Sequence, residues 1–184
     1  MSVSLSVSTP FAPKNVLALL DRSAQEEAPL PVRFALLVLA AARSAPDAVI
    51  AQNTARQMSE RLKVPADCRE LAQLTVRVAD RVQQSVTADA PELLALLEMC
   101  DTLRRPERFE CLLQACALGA QMQNPGLQWR LAFSHLRLAA RTRAEVAVQG
   151  ISEKALASGL QGPAVGAYLR SATLQAISEK IRNH

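Results

Sequence analysis

A chain of 184 residues that is 49% hydrophobic but only 3% aromatic must build its core from Leu, Val and Ala. That composition of helix formers predicts an all-α fold and leaves few rings for stacking nucleic-acid bases. The formal charge of +4 is uneven: residues 1–100 balance to −1 (10 Lys/Arg against 11 Asp/Glu) and residues 101–184 to +5 (11 against 6), so an anionic partner is to be sought in the second half.

Residues 1–12 read as a separate arm. Val3, Leu5 and Val7 alternate with serines at a strand period, but no second strand pattern follows, so a flexible arm is expected, or one that pairs with a partner chain. From Pro13 every segment has helical periodicity, and Pro repeatedly stands where a helix begins, because the first turn has no use for its missing N–H. Residues 13–184 are therefore expected to form a single helical domain, with 120–184 as an optional C-terminal helical subdomain.

The first helix carries Val16, Leu17, Leu20 and Ala24 as its stripe. The second, opened by Pro31, is apolar on all sides from Phe34 to Ala42 and so should be central. Ile50, Thr54, Met58 and Leu62 line a third helix, and Cys68, Leu71, Thr75, Val78 and Val82 a fourth. The fifth is expected from Pro91 to Leu103, and the sixth from Pro106 with Phe109, Leu112, Leu113, Cys116 and Ala120 inward. After the Asn124-Pro125-Gly126 turn a long seventh helix buries Leu127, Leu131, Phe133 or Ala132, and Leu138, and Gly150 ends it. A short helix precedes Gly159 and Gly162, and the last helix starts at Pro163 with Val165, Leu169, Ala172 and Ile177 on one face.

Cys68, Cys100, Cys111 and Cys116 all fall among apolar residues and form no Cys-x-x-Cys pair, as buried reduced thiols do. With no signal-peptide start, and a longest apolar run too short to cross a bilayer, the expected location is cytoplasmic, without a membrane partner.

Three runs, Pro29-Leu-Pro-Val-Arg-Phe-Ala-Leu-Leu-Val38, Glu60-Arg-Leu-Lys-Val-Pro-Ala-Asp-Cys-Arg-Glu-Leu-Ala72 and Cys100-Asp-Thr-Leu-Arg-Arg-Pro-Glu-Arg-Phe-Glu110, together with Gly159-Leu-Gln-Gly-Pro-Ala-Val-Gly166, resemble the C-terminal half of bacterial CCA-adding enzymes. These are the tRNA nucleotidyltransferases that carry a metal-dependent HD phosphohydrolase domain. The resemblance runs in the family's order from about Val16, and it implies an irregular, HD-domain-like bundle of eight or nine helices.

It also marks what has changed. Where the family has its His-Asp doublet, this sequence has Leu39 and Ala40; where the later His pair should fall, it has Ala79 and Gln83; only Asp101 remains. A hydrolytic metal needs several converging imidazoles or carboxylates and an open position for water, and this chain holds two histidines, His135 and His184, both away from those positions. The family's polymerase domain, with its Gly-rich loop and paired Asp ligands, lies N-terminal to the matched region; only the Ser/Val arm lies upstream here, and no Asp-x-Asp occurs. The expectation is a chain without either catalytic site, with no cofactor and no metal. Asp101 is a former ligand, or it fixes its corner by accepting from Arg104 or Arg105.

Arg104, Arg105 and Arg108 crowd one corner, and Arg130, Arg137 and Arg141 recur at helical spacing with Arg143 just beyond. Guanidinium forks suit phosphate oxygens, and in the related enzymes the C-terminal helices are thought to hold the tRNA backbone, so these seven arginines are the RNA-binding candidates. A solvated face ion-paired to Glu107, Glu110 and Glu145 explains them equally. Ser134 and His135 diverge as helix neighbours and make no nucleophile pair, and the Gly159–Gly162 turn reads as a C-cap followed by an N-cap. The sequence thus predicts a catalytically inactive module that binds RNA, tRNA above all, or a protein. The alternatives are a residual metal-dependent phosphohydrolase or nucleotide-metabolism enzyme, and a structural homodimer.

Overall fold

The computed structural model describes residues 13–123, 128–149 and 155–182; the expected arm, the Asn124-Pro125-Gly126 turn, Leu127, Gly150 and His184 lie outside the described residues. Eight helices follow in order: α1 (Pro13–Gln25), α2 (Leu30–Ala42), α3 (Ala48–Arg61), α4 (Ala66–Gln84), α5 (Ala90–Met99), α6 (Pro106–Gln123), α7 (Gln128–Val148) and α8 (Pro163–Arg182). A helical turn at 155–157 stands before α8, and no strand occurs among the described residues. The fold is all-α with many helices, as the aliphatic composition requires.

Proline opens α1, α6 and α8 and enters the first turn of α2 and α5. Acidic caps set two further starts. Asp47 accepts from the Ile50 N–H at 2.8 Å, while Asp89 accepts from Glu92 N–H at 2.9 Å and Glu92 returns the contact to the Asp89 N–H at 3.0 Å, a reciprocal capping box. The stops share another device. Glu27, Lys63 and Asp101 take left-handed φ of 51°, 48° and 54°. Around each, two backbone bonds close the helix end, Ala28 N–H to Ser23 O (2.9 Å), Val64 N–H to Ser59 O (3.3 Å) and Thr102 N–H to Leu97 O (3.2 Å) being the longer-reaching ones.

The chain forms two compact units, Met1–Arg77 with Gln114–Asn124, and Val78–Leu113 with Pro125–His184. In the first, α2 packs on α1 and α3, and Leu19, Val32, Leu36, Val38, Leu71 and Leu118 are fully enclosed. In the second, α5, α7 and α8 pack on one another around Leu93, Leu94, Leu97, Leu112, Leu136 and Ile177.

The expected inward residues of α4 and α6 are buried, because their apolar positions are numerous enough to fix the face; in α2 the apolar run from Phe34 to Ala42 is buried except at Leu37, half-buried, and Ala41, exposed. Three shorter stripes differ. In α1, Leu17 is 65% exposed and Leu19 takes the interior place. In α3, Ile50 and Leu62 face solvent, and the buried residues are Ala55 and Ser59, the serine hydroxyl donating to Ala55 O at 2.7 Å. In α7, Leu131 is exposed while Ala132, Phe133 and Leu136 are buried. In α3 the small side chains let helices approach closely, so a stripe drawn through the largest residues misses the contact, whereas in α1 and α7 a leucine of equal size, Leu19 or Leu136, takes the interior place. Helix α5 also stops at Met99 rather than Leu103, because Asp101 turns left-handed.

Candidate functional site

The α5–α6 corner is built by main chain. Cys100 caps α5, and the Asp101 carbonyl accepts from the N–H groups of Arg104 (3.2 Å) and Arg105 (2.9 Å). The Asp101 carboxylate contributes less, since its Oδ2 stands 3.8 Å from Nε of an Arg104 side chain that is 82% exposed. Arg108 is half-buried and its Nη2 donates to the Cys100 carbonyl at 3.1 Å, so it serves the corner itself. Arg104 and Arg105 project into solvent.

On α7, Arg130, Arg137 and Arg141 are exposed and, at spacings of seven and four, lie along one face. Arg130 covers the Trp129 ring at 5.1 Å, and Trp129 leans on Phe133 with centroids 5.6 Å apart. Arg137 holds Glu110 with Nε and Nη2 at 3.0 and 2.8 Å, one of the ion pairs expected of a solvated face. Arg143 departs from this row. Its Nη1 donates to Leu97 O at 3.1 Å and Thr102 Oγ1 at 2.9 Å, binding α7 to the end of α5. Burial lowers the pKa of its guanidinium, an effect opposed by Glu98 and Asp101. All seven arginines belong to the second unit, where twelve Lys/Arg meet ten Asp/Glu. Net charge there is small, and attraction for an anion would come from placement.

Of the positions where the resemblance puts metal ligands, Leu39, Ala40 and Ala79 are hydrocarbon, Gln83 is an amide and Asp101 is a carboxylate. Leu39 and Ala40 are 6% and 3% exposed within the first unit. The Leu39 Cδ2 methyl lies 3.4 Å from where a Cβ on Gly119 would stand, so it occupies the space the glycine leaves on α6. Ala79 is 3% exposed and Gln83 half-buried, in the second unit. Leu and Ala offer no lone pair and an amide is a poor ligand for a hydrolytic metal, so these residues do not fit the family's ion. Among the described residues no group of three or more His, Cys, Asp or Glu is placed to hold one.

The remaining groups are committed elsewhere. Ser134 Oγ donates to the Leu131 carbonyl at 2.9 Å, so it serves its own helix rather than His135. Cys68, Cys100 and Cys116 are buried, and Cys111 half-buried. Burial raises the thiol pKa of Cys68, Cys100 and Cys111, that of Cys100 to about 11, which keeps them protonated and unreactive at neutral pH. Gly159 (φ 81°) and Gly162 (φ 55°) need glycine's freedom; the Gly159 and Leu160 amides already bond Leu156 O and Ala155 O. No described helix is long and apolar enough to cross a membrane.

No family model matches the chain, and no solved structure matches it. Curated proteins do. It is 37% identical over 182 residues to the multifunctional CCA protein of Leptothrix cholodnii, covering 89% of this chain and 42% of that protein. The multifunctional CCA protein of Verminephrobacter eiseniae is 33% identical (90% and 43%), and that of Pseudomonas putida 35% identical (88% and 40%). The chain therefore spans less than half the length of the curated relatives it matches. Over nearly all of its own length it is a homologue of one region of the multifunctional CCA proteins.

Proposed function

We propose that this chain is a non-catalytic helical module, related to the C-terminal region of the CCA-adding enzymes, that binds tRNA or a similarly folded RNA through its phosphate backbone. The observation that carries the reading is the α7 row: Arg130, Arg137 and Arg141 stay exposed along one face while Arg143 alone is drawn inward. Exposed guanidiniums about one and two turns apart can each meet a phosphate. Arg104 and Arg105, exposed on the α5–α6 corner, are further contacts. With one Trp and one Tyr in the chain, recognition would rest on charge and shape rather than base stacking.

The non-catalytic part of the proposal rests on Leu39, Ala40 and Ala79, whose side chains supply no ligand atom. Hydrolysis of p-nitrophenyl phosphate dependent on added Mn²⁺ or Ni²⁺ would overturn it.

The binding part is tested by fluorescence anisotropy with labelled tRNA over a salt series. Affinity should fall steeply with salt. Arg130→Glu with Arg141→Glu should weaken it at least about ten-fold and shallow the log–log salt slope by about 2. Lys180→Glu, on α8, is the charge control. Absence of binding at low salt rejects the RNA reading.

A further inference from the structure

Within the second unit, α5, α7 and α8 border a half-open hollow of about 280 Å³ that the RNA reading does not use. Its walls are aliphatic: Leu94, Leu103, Val146 and Leu169. Three charged side chains enter it, Arg143, Arg170 and Glu98. Glu98 is the ion-pair partner of Arg170, whereas the Nη1 of Arg143 donates to two uncharged oxygens, those of Leu97 and Thr102. The lining thus carries one positive charge in excess, two guanidiniums against one carboxylate; Asp101, outside the lining and 3.8 Å from Arg104, also attracts the half-buried Arg143 guanidinium, as Glu98 does. On the α8 side the wall includes Gly166, and a Cβ built there would meet nothing within 4 Å, so the glycine opens onto empty space.

We propose that this hollow is a binding site for a small monoanion with a short aliphatic body, a carboxylate of a four- to six-carbon chain. The volume is at the lower end of the range for small-molecule sites, and the mix of apolar walls with few polar groups is typical of them. The anionic head meets Arg143 and the alkyl body lies against Leu94, Val146 and Leu169. The forked guanidinium is already positioned by its bonds to Leu97 and Thr102, so little side-chain order is lost on binding. Arg170 and Glu98 cancel at the rim, which keeps a dianion from being favoured.

The test is a ¹H–¹⁵N titration with sodium hexanoate, hexyl phosphate, hexanol and hexylammonium. A ligand of this size should bind in the millimolar range, shifting amides of α5, α7 and α8. Hexanoate should bind at least about ten-fold tighter than hexanol, a gap that corresponds to one charge-assisted contact, and hexylammonium weakest of all. Hexyl phosphate, largely a dianion at neutral pH, should bind no tighter than hexanoate, and tighter binding would contradict the monoanion preference. Gly166→Leu, which adds a side chain at the wall of the hollow, should weaken binding. Arg170→Gln, which leaves Glu98 unopposed, should weaken it about five-fold or more. Equal affinity for hexanol and hexanoate, no shifts at about 50 mM ligand, or undiminished binding by the Gly166→Leu protein would each overturn the proposal.

Discussion

Asp101 is the one carboxylate at the positions where the resemblance puts metal ligands, and its geometry predicts that its backbone matters more than its charge. It occupies the left-handed position after α5 at φ 54°, where its N–H bonds Glu98 O at 3.0 Å and lets Thr102 reach Leu97 O. Its side chain makes one long, mostly solvated contact with Arg104, of at most about 0.5 kcal/mol, and adds a longer-range attraction for the Arg143 guanidinium. Left-handed backbone costs an ordinary L-residue about 1–2 kcal/mol, Asn and Asp less, and Gly almost nothing. Asp101→Asn should therefore stay within about 0.5 kcal/mol of the parent, and Asp101→Gly should lie between neutral and about 1 kcal/mol more stable. Asp101→Val should lose about 1–2 kcal/mol, roughly 2–8 °C in Tm for a chain of this size. Urea melts of the three variants at pH 7.5, with m-values compared, give the order. If Asp101→Asn were as damaging as Asp101→Val, or removed a metal-dependent signal, the carboxylate would have a role this reasoning denies.

Three further outcomes follow from burial. Gly119→Ala on α6 adds a methyl at 3.4 Å from Leu39 Cδ2, an ordinary contact, and should raise stability by about 0.5–1 kcal/mol in the same melts. Leu39→His puts an imidazole into a site 6% exposed; it should cost about 2 kcal/mol or more and gain no Zn²⁺ affinity by calorimetry, since no partner ligands accompany it. The Cys100 thiol, with its pKa raised by burial from 9.0 to about 11, is deprotonated more readily in the unfolded chain. Its contribution is complete below pH 9 and is lost as pH climbs towards 11, by something of the order of 2 kcal/mol. Parent and Cys100→Ala should therefore differ in the slope of unfolding free energy over that interval, and a common slope would contradict it.

How much of this was legible beforehand depended on how strongly each helix is marked. Helix α2, apolar on every side, could only be central, and α4 and α6 carry enough Leu and Val to fix their inward face. Helix α1 offers Leu17 and Leu19, equal in size, so bulk does not choose between them; in α3, Ile50 and the adjoining Leu62 outweigh Ala55 and Ser59 in size but lose to them in position, and nothing local says that a serine will satisfy itself on its own helix and turn inward. The early end of α5 was hidden because Asp is an uncommon left-handed residue and the usual glycine signal is absent. For the arginines, periodicity correctly placed Arg130, Arg137 and Arg141 in a row, but not the fate of Arg143. Its partners, Leu97 O and Thr102 Oγ1, lie more than forty positions away. The hollow beside it had only Gly166 as a trace in the sequence.

The meeting of Leu39 with Gly119 has a consequence for how this protein can vary. Bulk at one position and vacancy at the other are a single choice, divided between two helices. Shrinking residue 39 alone would leave a void, and enlarging residue 119 well beyond alanine would drive the helices apart; a swap of the two sizes could preserve the fit. An imidazole at 39 would therefore mean giving up a joint that helps hold α2 to α6.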